Sequence, residues 1–108
     1  MITKEVIDEF KARMRIYHKT EDDSIEQMLE ASFFVLKNLC GEFDLNDREG
    51  KELVFERTRY VYHDSVEFFE QNFRSRIHSF GYTLSFQADE DSEVNDDNQI
   101  RTTTDNYW

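Results

Sequence analysis

Apolar residues recur along this chain with the 3.6-residue period of an amphipathic helix in three successive segments. The first runs from about Lys4 to Arg15. Val6, Ile7, Phe10 and Met14 share one face, Lys4, Asp8, Lys11 and Arg15 face away, and Thr3 is placed to cap it. After a polar link over 17–22, Asp23 followed three residues later by Glu26 predicts a capping box and a second helix from Ser24 to about Cys40. Ile25, Met28, Leu29, Ser32, Leu36 and Leu39 lie on its inner face, and Gly41 supplies a stop. Phe34 points the opposite way, among Glu26, Gln27, Glu30, Lys37 and Asn38. An outward Phe of this kind is either an ordinary surface residue or a contact for another subunit.

The loop from Gly41 to Gly50 carries Phe43 and Leu45 in charged surroundings. They either staple the loop to the core or are presented to a partner. The third segment predicts one long helix from about Glu49 or Lys51 to Asn72, on the order of 30 Å in length. Val54, Phe55, Val61, Tyr62, Val66, Phe68, Phe69 and Phe73 form a broad apolar arc, with Glu56, Arg59, His63, Glu67 and Glu70 on the wet face. Between them runs a mixed strip of Leu53, Arg57, Tyr60 and Asp64. Arg and Tyr are enriched at protein interfaces, which points to a subunit contact. The alternative is a boundary strip of snorkelling side chains.

Residues 73–80 predict a short fourth helix, or a continuation after a bend, ended by Gly81. The segment Tyr82 to Phe86, YTLSF, alternates in strand fashion, so that Tyr82, Leu84 and Phe86 would share a face. A lone strand would lie along the helices or pair with a strand from another chain. From Gln87 onward seven acids against Arg101 account for -6 of the chain's -11. So acidic a segment is expected to stay unfolded alone. It carries Ile100, Tyr107 and Trp108, which suit either a tether that orders on binding or a plain solubilising tail. The expected fold class is therefore all-α: a small bundle of three main helices, a short fourth helix or strand-like segment, and an acidic flexible tail. The expected division is a helical domain over 1–86 and the tail over 87–108.

Composition narrows the function. The absence of Pro, with three Gly in 108 residues, disfavours sandwiches and barrels. A balance of 24 acidic to 13 basic residues opposes tight, sequence-specific DNA binding, which needs Lys and Arg on phosphates. The single Cys40 reads as a small buried hydrophobe in a reducing cytosol. The opening MITKEVIDEF is charged and amphipathic, and no apolar run reaches membrane-spanning length, so a cytoplasmic origin and no membrane partner are expected. No P-loop, GxGxxG or HExxH is present, and His18, His63 and His78 are scattered. One Cys excludes a Cys-type zinc site, and the tail acids lack the order of an EF-hand loop. No catalytic residue, metal ligand or cofactor is assigned, and no enzymatic activity is expected.

The opening MITKEVIDEFKARMRI, the polar link with its DD pair and the segment SIEQMLEASFFVLKNLCG together resemble the first half of the tailed-phage head–tail connector family, also called adaptor or head-completion proteins. ELVFERTRYVYHDSVEFFEQNF is similar to the third helix of members from phages of Gram-positive hosts, and the resemblance covers roughly 2–86. It implies a non-enzymatic virion protein of the neck, made in the host cytoplasm and often monomeric alone. It implies a homo-oligomeric ring, usually of twelve subunits, beneath the portal protein. That ring extends the channel through which double-stranded DNA passes without specific binding, and it docks the next connector or stopper. Within that frame Phe34, Leu53, Arg57, Tyr60 and Asp64 are candidates for the subunit interface. Tyr82, Leu84, Phe86, Ile100, Tyr107 and Trp108 are candidates for portal binding, and Phe43 and Leu45 for docking the next neck component. Two other readings are an acidic DNA mimic that inhibits a DNA-binding protein, and a generic helical interaction module.

Overall fold

A computed structural model describes the backbone of residues 2–92 and the side chains of residues 2–87. Four α-helices follow one another: α1 (Lys4–Met14), α2 (Asp22–Cys40), α3 (Arg48–Tyr62) and α4 (Phe69–Ser92), with a 3-10 turn at Val66–Phe68 leading into α4. They form a small all-helical bundle, and the described residues contain no strand.

Helix α1 starts as expected, with Thr3 Oγ1 accepting from the Val6 N–H at 3.3 Å. It stops at Arg15, which takes a left-handed conformation (φ 60°). The Arg15 N–H donates to the Ala12 carbonyl at 3.2 Å and the Ile16 N–H to the Lys11 carbonyl at 2.9 Å, the paired bonds of a Schellman motif. Ile16 is thereby turned inward and buried. Helix α2 begins at Asp22 rather than Ser24, and its N-cap Glu21 makes no side-chain capping bond, so the predicted Asp23 capping box does not form. The carboxylates of Asp22 and Asp23 in the first turn still complement the helix dipole, and Asp22 accepts a hydrogen bond from Lys11.

The core is built around α3. Leu53 and Val54 are fully buried, Phe55 nearly so, against Ile25, Leu29 and Leu36 of α2, with Phe10 of α1 meeting Phe55 edge-on at 5.5 Å. The two buried hydroxyls are satisfied: Thr58 donates to the Val54 carbonyl at 2.8 Å, and Ser32 accepts from Arg57 at 3.1 Å.

Two elements differ from the sequence expectation. The long third helix is broken after Tyr62. Asp64 adopts a left-handed conformation (φ 61°), its N–H donates to the Val61 carbonyl at 3.0 Å, and the Ser65 N–H donates to the Tyr60 carbonyl at 2.8 Å. This is a second Schellman closure, made with Asp instead of Gly, a residue that tolerates this conformation. The chain then reverses, and α4 returns along α3, setting Phe69 and Phe73 edge-on against Tyr60.

The second difference is YTLSF, which is helical within α4. Ile77, Phe80 and Leu84 are buried at helical spacing. Gly81 does not end the helix. An added Cβ there would lie 3.4 Å from the Cys40 carbonyl oxygen, so Gly81 marks a close crossing of α4 over the end of α2. At that crossing the Cys40 thiol donates to the Ile77 carbonyl at 3.6 Å, and burial pushes its pKa up. The acidic segment expected to be flexible from Gln87 is helical as far as Ser92. Residues 93–108, with Ile100, Tyr107 and Trp108, lie outside the described residues.

Candidate interaction surfaces

The fold-back of α4 decides the fate of the mixed strip on α3. Leu53 is fully buried and belongs to the core, so its assignment to a subunit interface is corrected. Tyr60 sits edge-on against Phe69 and Phe73, each at 5.7 Å, and its hydroxyl accepts from Asn72 at 3.1 Å. Arg57 turns inward to Ser32. Loss of solvent lowers its pKa, an effect offset in part by Glu70. Asp64 is exposed but acts as the helix terminator. A single straight helix would have left these four on one surface. The reversal after Tyr62 lays α4 over Tyr60, Leu53 is buried, and no continuous docking strip is left.

The loop aromatics are likewise turned inward. Phe43 lies between Phe33 and Phe80, with ring centroids at 5.3 and 5.1 Å, and Leu45 packs on the core. Of the two readings of this loop, the contacts support the staple.

Other apolar side chains do face solvent. Phe34 is 65% exposed, on the side of α2 opposite Ile25, Leu29 and Leu36. Tyr82 and Phe86 are 47% and 52% exposed and pack edge-on against each other at 4.8 Å. Leu84 is buried beside Gly41, because a helical period separates positions 82 and 86 from 84, where a strand would have aligned all three. Leu84 is therefore removed from the candidates for partner binding.

A third feature has no local sequence signature. A groove of about 930 Å³ opens between the end of α1, the link after it and the second half of α3. Its apolar lining includes Phe10, Met14, Ile16, Phe55 and Tyr62, and its polar lining includes Arg13, Arg15, Arg59, His18 and His63 with one acid, Glu56. Arg13 is committed: it forms a two-pronged pair with Glu52 at 2.9 and 2.6 Å and lies over the Phe55 ring at 5.0 Å. That pair holds the Glu52 carboxyl below its usual range and raises Arg13. Arg59 approaches Glu56 at 3.6 Å. Arg15 is exposed and forms no ion pair among the described residues. The groove joins residues more than forty positions apart in the chain (Arg15 and Arg59), so only tertiary packing creates it.

Ion pairs tie α3 to its neighbours: Arg76 of α4 pairs with Glu49 through two bonds of 3.0 Å, and Lys51 reaches Glu9 of α1 at 2.9 Å. Among the described residues no group of three or more His, Cys, Asp or Glu is placed to hold a metal ion, and no helix is long and apolar enough to cross a membrane. No family model matches the chain, and no curated protein or solved structure matches it.

Proposed function

We propose that this protein is a structural connector of the tailed-phage neck. It assembles as a ring on the portal, extends the DNA channel and receives the next neck component. The observation that supports this reading is that exposed aromatics stand on separate helices of a small bundle, Phe34 on α2 and Tyr82 with Phe86 on α4, each opposite the buried face of its own helix; Tyr17 and Phe68, in the links between helices, are exposed as well. Ring contacts are heterologous, so every subunit needs two different, complementary patches. The family resemblance over 2–86 supplies the setting. A net charge of -11 suits a conduit, since a negative lumen repels DNA phosphates and keeps the duplex moving. The DNA-mimic alternative draws less support, because the α3 carboxylates Glu49 and Glu52 are already paired with Arg76 and Arg13.

The test is native mass measurement of the protein with the purified portal oligomer of the same phage. The expected mass increase corresponds to one connector per portal subunit. Phe34→Asp should block that increase while circular dichroism stays unchanged, because Phe34 lies outside the core. A portal mass that never rises, at any connector concentration, would overturn the proposal.

A further inference from the structure

We propose that the groove between α1 and α3 receives residues 93–108 of a second copy of this chain. Three observations converge on that occupant.

The first is charge. In a chain of net charge -11, Arg13, Arg15 and Arg59 line the groove against Glu56, and Arg13 is already paired with Glu52. Arg15 is a free cation among the described residues, and Arg59 is only loosely engaged by Glu56. Segment 93–108 holds Glu93, Asp96, Asp97 and Asp105 against Arg101, and is the opposite in sign.

The second is chemistry and size. The groove floor offers the aromatic faces of Phe55 and Tyr62, and its volume of about 930 Å³ lies within the range of sites that enclose a small organic ligand. The segment has Tyr107 and Trp108 two and three positions after Asp105. Two rings adjoining an acid match an aromatic floor beside a cationic rim.

The third is reach. Helix α4 starts beside Tyr60, at the level of the groove, and its 24 residues carry Ser92 about 36 Å away along the helix axis. A random coil of 16 residues, the number from 93 to 108, has a root-mean-square span of roughly 20–24 Å. A coil of that span falls short of the chain's own groove, whereas the groove of a second copy docked near the end of α4 would lie within it. The contact is heterologous, tail to groove, and can pass from copy to copy as a ring requires; a reciprocal pair would show as a mass that stops at the dimer. This linkage deepens the connector reading, yet it is measured without portal, so its failure and the failure of portal binding are separate results.

Trp108 is the only tryptophan, so its emission reports the segment directly in the full chain. Emission and sedimentation velocity are followed together across a dilution series. The expected result is a blue-shifted emission and a raised average mass at high protein concentration. Both should revert on dilution and with added salt. Arg15→Glu with Arg59→Glu should weaken the association by about ten-fold or more with helix content unchanged, because both side chains are exposed and the contact is charge-assisted. Trp108→Ala should weaken it as well. Emission that is independent of concentration overturns the proposal. If that constant emission is blue-shifted, the segment docks within its own chain. Association that is insensitive to the double charge reversal removes the groove as its site.

Discussion

Tyr60 distinguishes the folded-back bundle from a straight third helix more sharply than any other residue. Truncating a fully buried large aromatic to Ala costs about 3–5 kcal/mol. Tyr60 is half-buried, which reduces the burial part to roughly 2 kcal/mol. Its two edge-on contacts, with Phe69 and Phe73, add about 0.5–1.5 kcal/mol each. Tyr60→Ala should therefore destabilise the monomer by about 3 kcal/mol, measured by urea unfolding followed by circular dichroism. For a domain of this size that is a fall in Tm of roughly 12–24 °C. Tyr60→Phe keeps both ring contacts and loses only the exposed bond from Asn72, so it should cost less than about 1 kcal/mol. If Tyr60→Ala leaves stability within about 0.5 kcal/mol of the parent, a value typical of surface positions, α4 does not pack over Tyr60 and the reasoning fails.

Gly50→Ala should destabilise by about 1–3 kcal/mol in the same unfolding assay, because the new Cβ would stand 2.4 Å from the Phe43 ring and 3.1 Å from that of Phe80. Asp64→Gly should stabilise by up to about 1 kcal/mol, since Gly adopts the left-handed conformation at Asp64 without a Cβ penalty, and Asp64→Val should destabilise. The Arg13 pair contributes an acid-dependent term. The folded-state pKa of Glu52 is depressed by its hydrogen bond from Arg13, so this stabilisation is complete above the unfolded value of about 4.3 and is lost as pH falls through the lower folded value. In urea titrations, the stability gap between the parent and Glu52→Gln should be present at neutral pH and close in acid.

Helices α1 and α2 were legible in the sequence because each keeps one apolar stripe between recognisable ends, Thr3 for the first and Gly41 for the second. The end of α3 was not legible. Apolar residues continue at helical spacing through positions 61–73, and the terminator is Asp64 within a run that lacks both Gly and Pro. A helix continued past that break places Leu53 and Tyr60 on a free mixed strip, whereas in the fold Leu53 is buried and Tyr60 packs against Phe69 and Phe73 of α4. The Gly81 stop failed for the opposite reason: the glycine serves a close helix crossing, a tertiary demand that overrides its local tendency to end helices. YTLSF is short enough to satisfy both periods, and burial of Ile77, Phe80 and Leu84 selects the helix. Phe34 was placed correctly because α2 carries an unambiguous inner face. The groove combines single residues of α1, its following link and α3, so no local pattern announces it.

The most direct test of the connector assignment is cryo-EM of the portal oligomer mixed with this protein. The account predicts class averages with an added ring of helical density at one end of the portal, sharing its rotational symmetry, coaxial with its channel and with Phe34 at a subunit boundary. Portal particles that remain bare under saturating protein, or protein bound off the channel axis without symmetry, would contradict it.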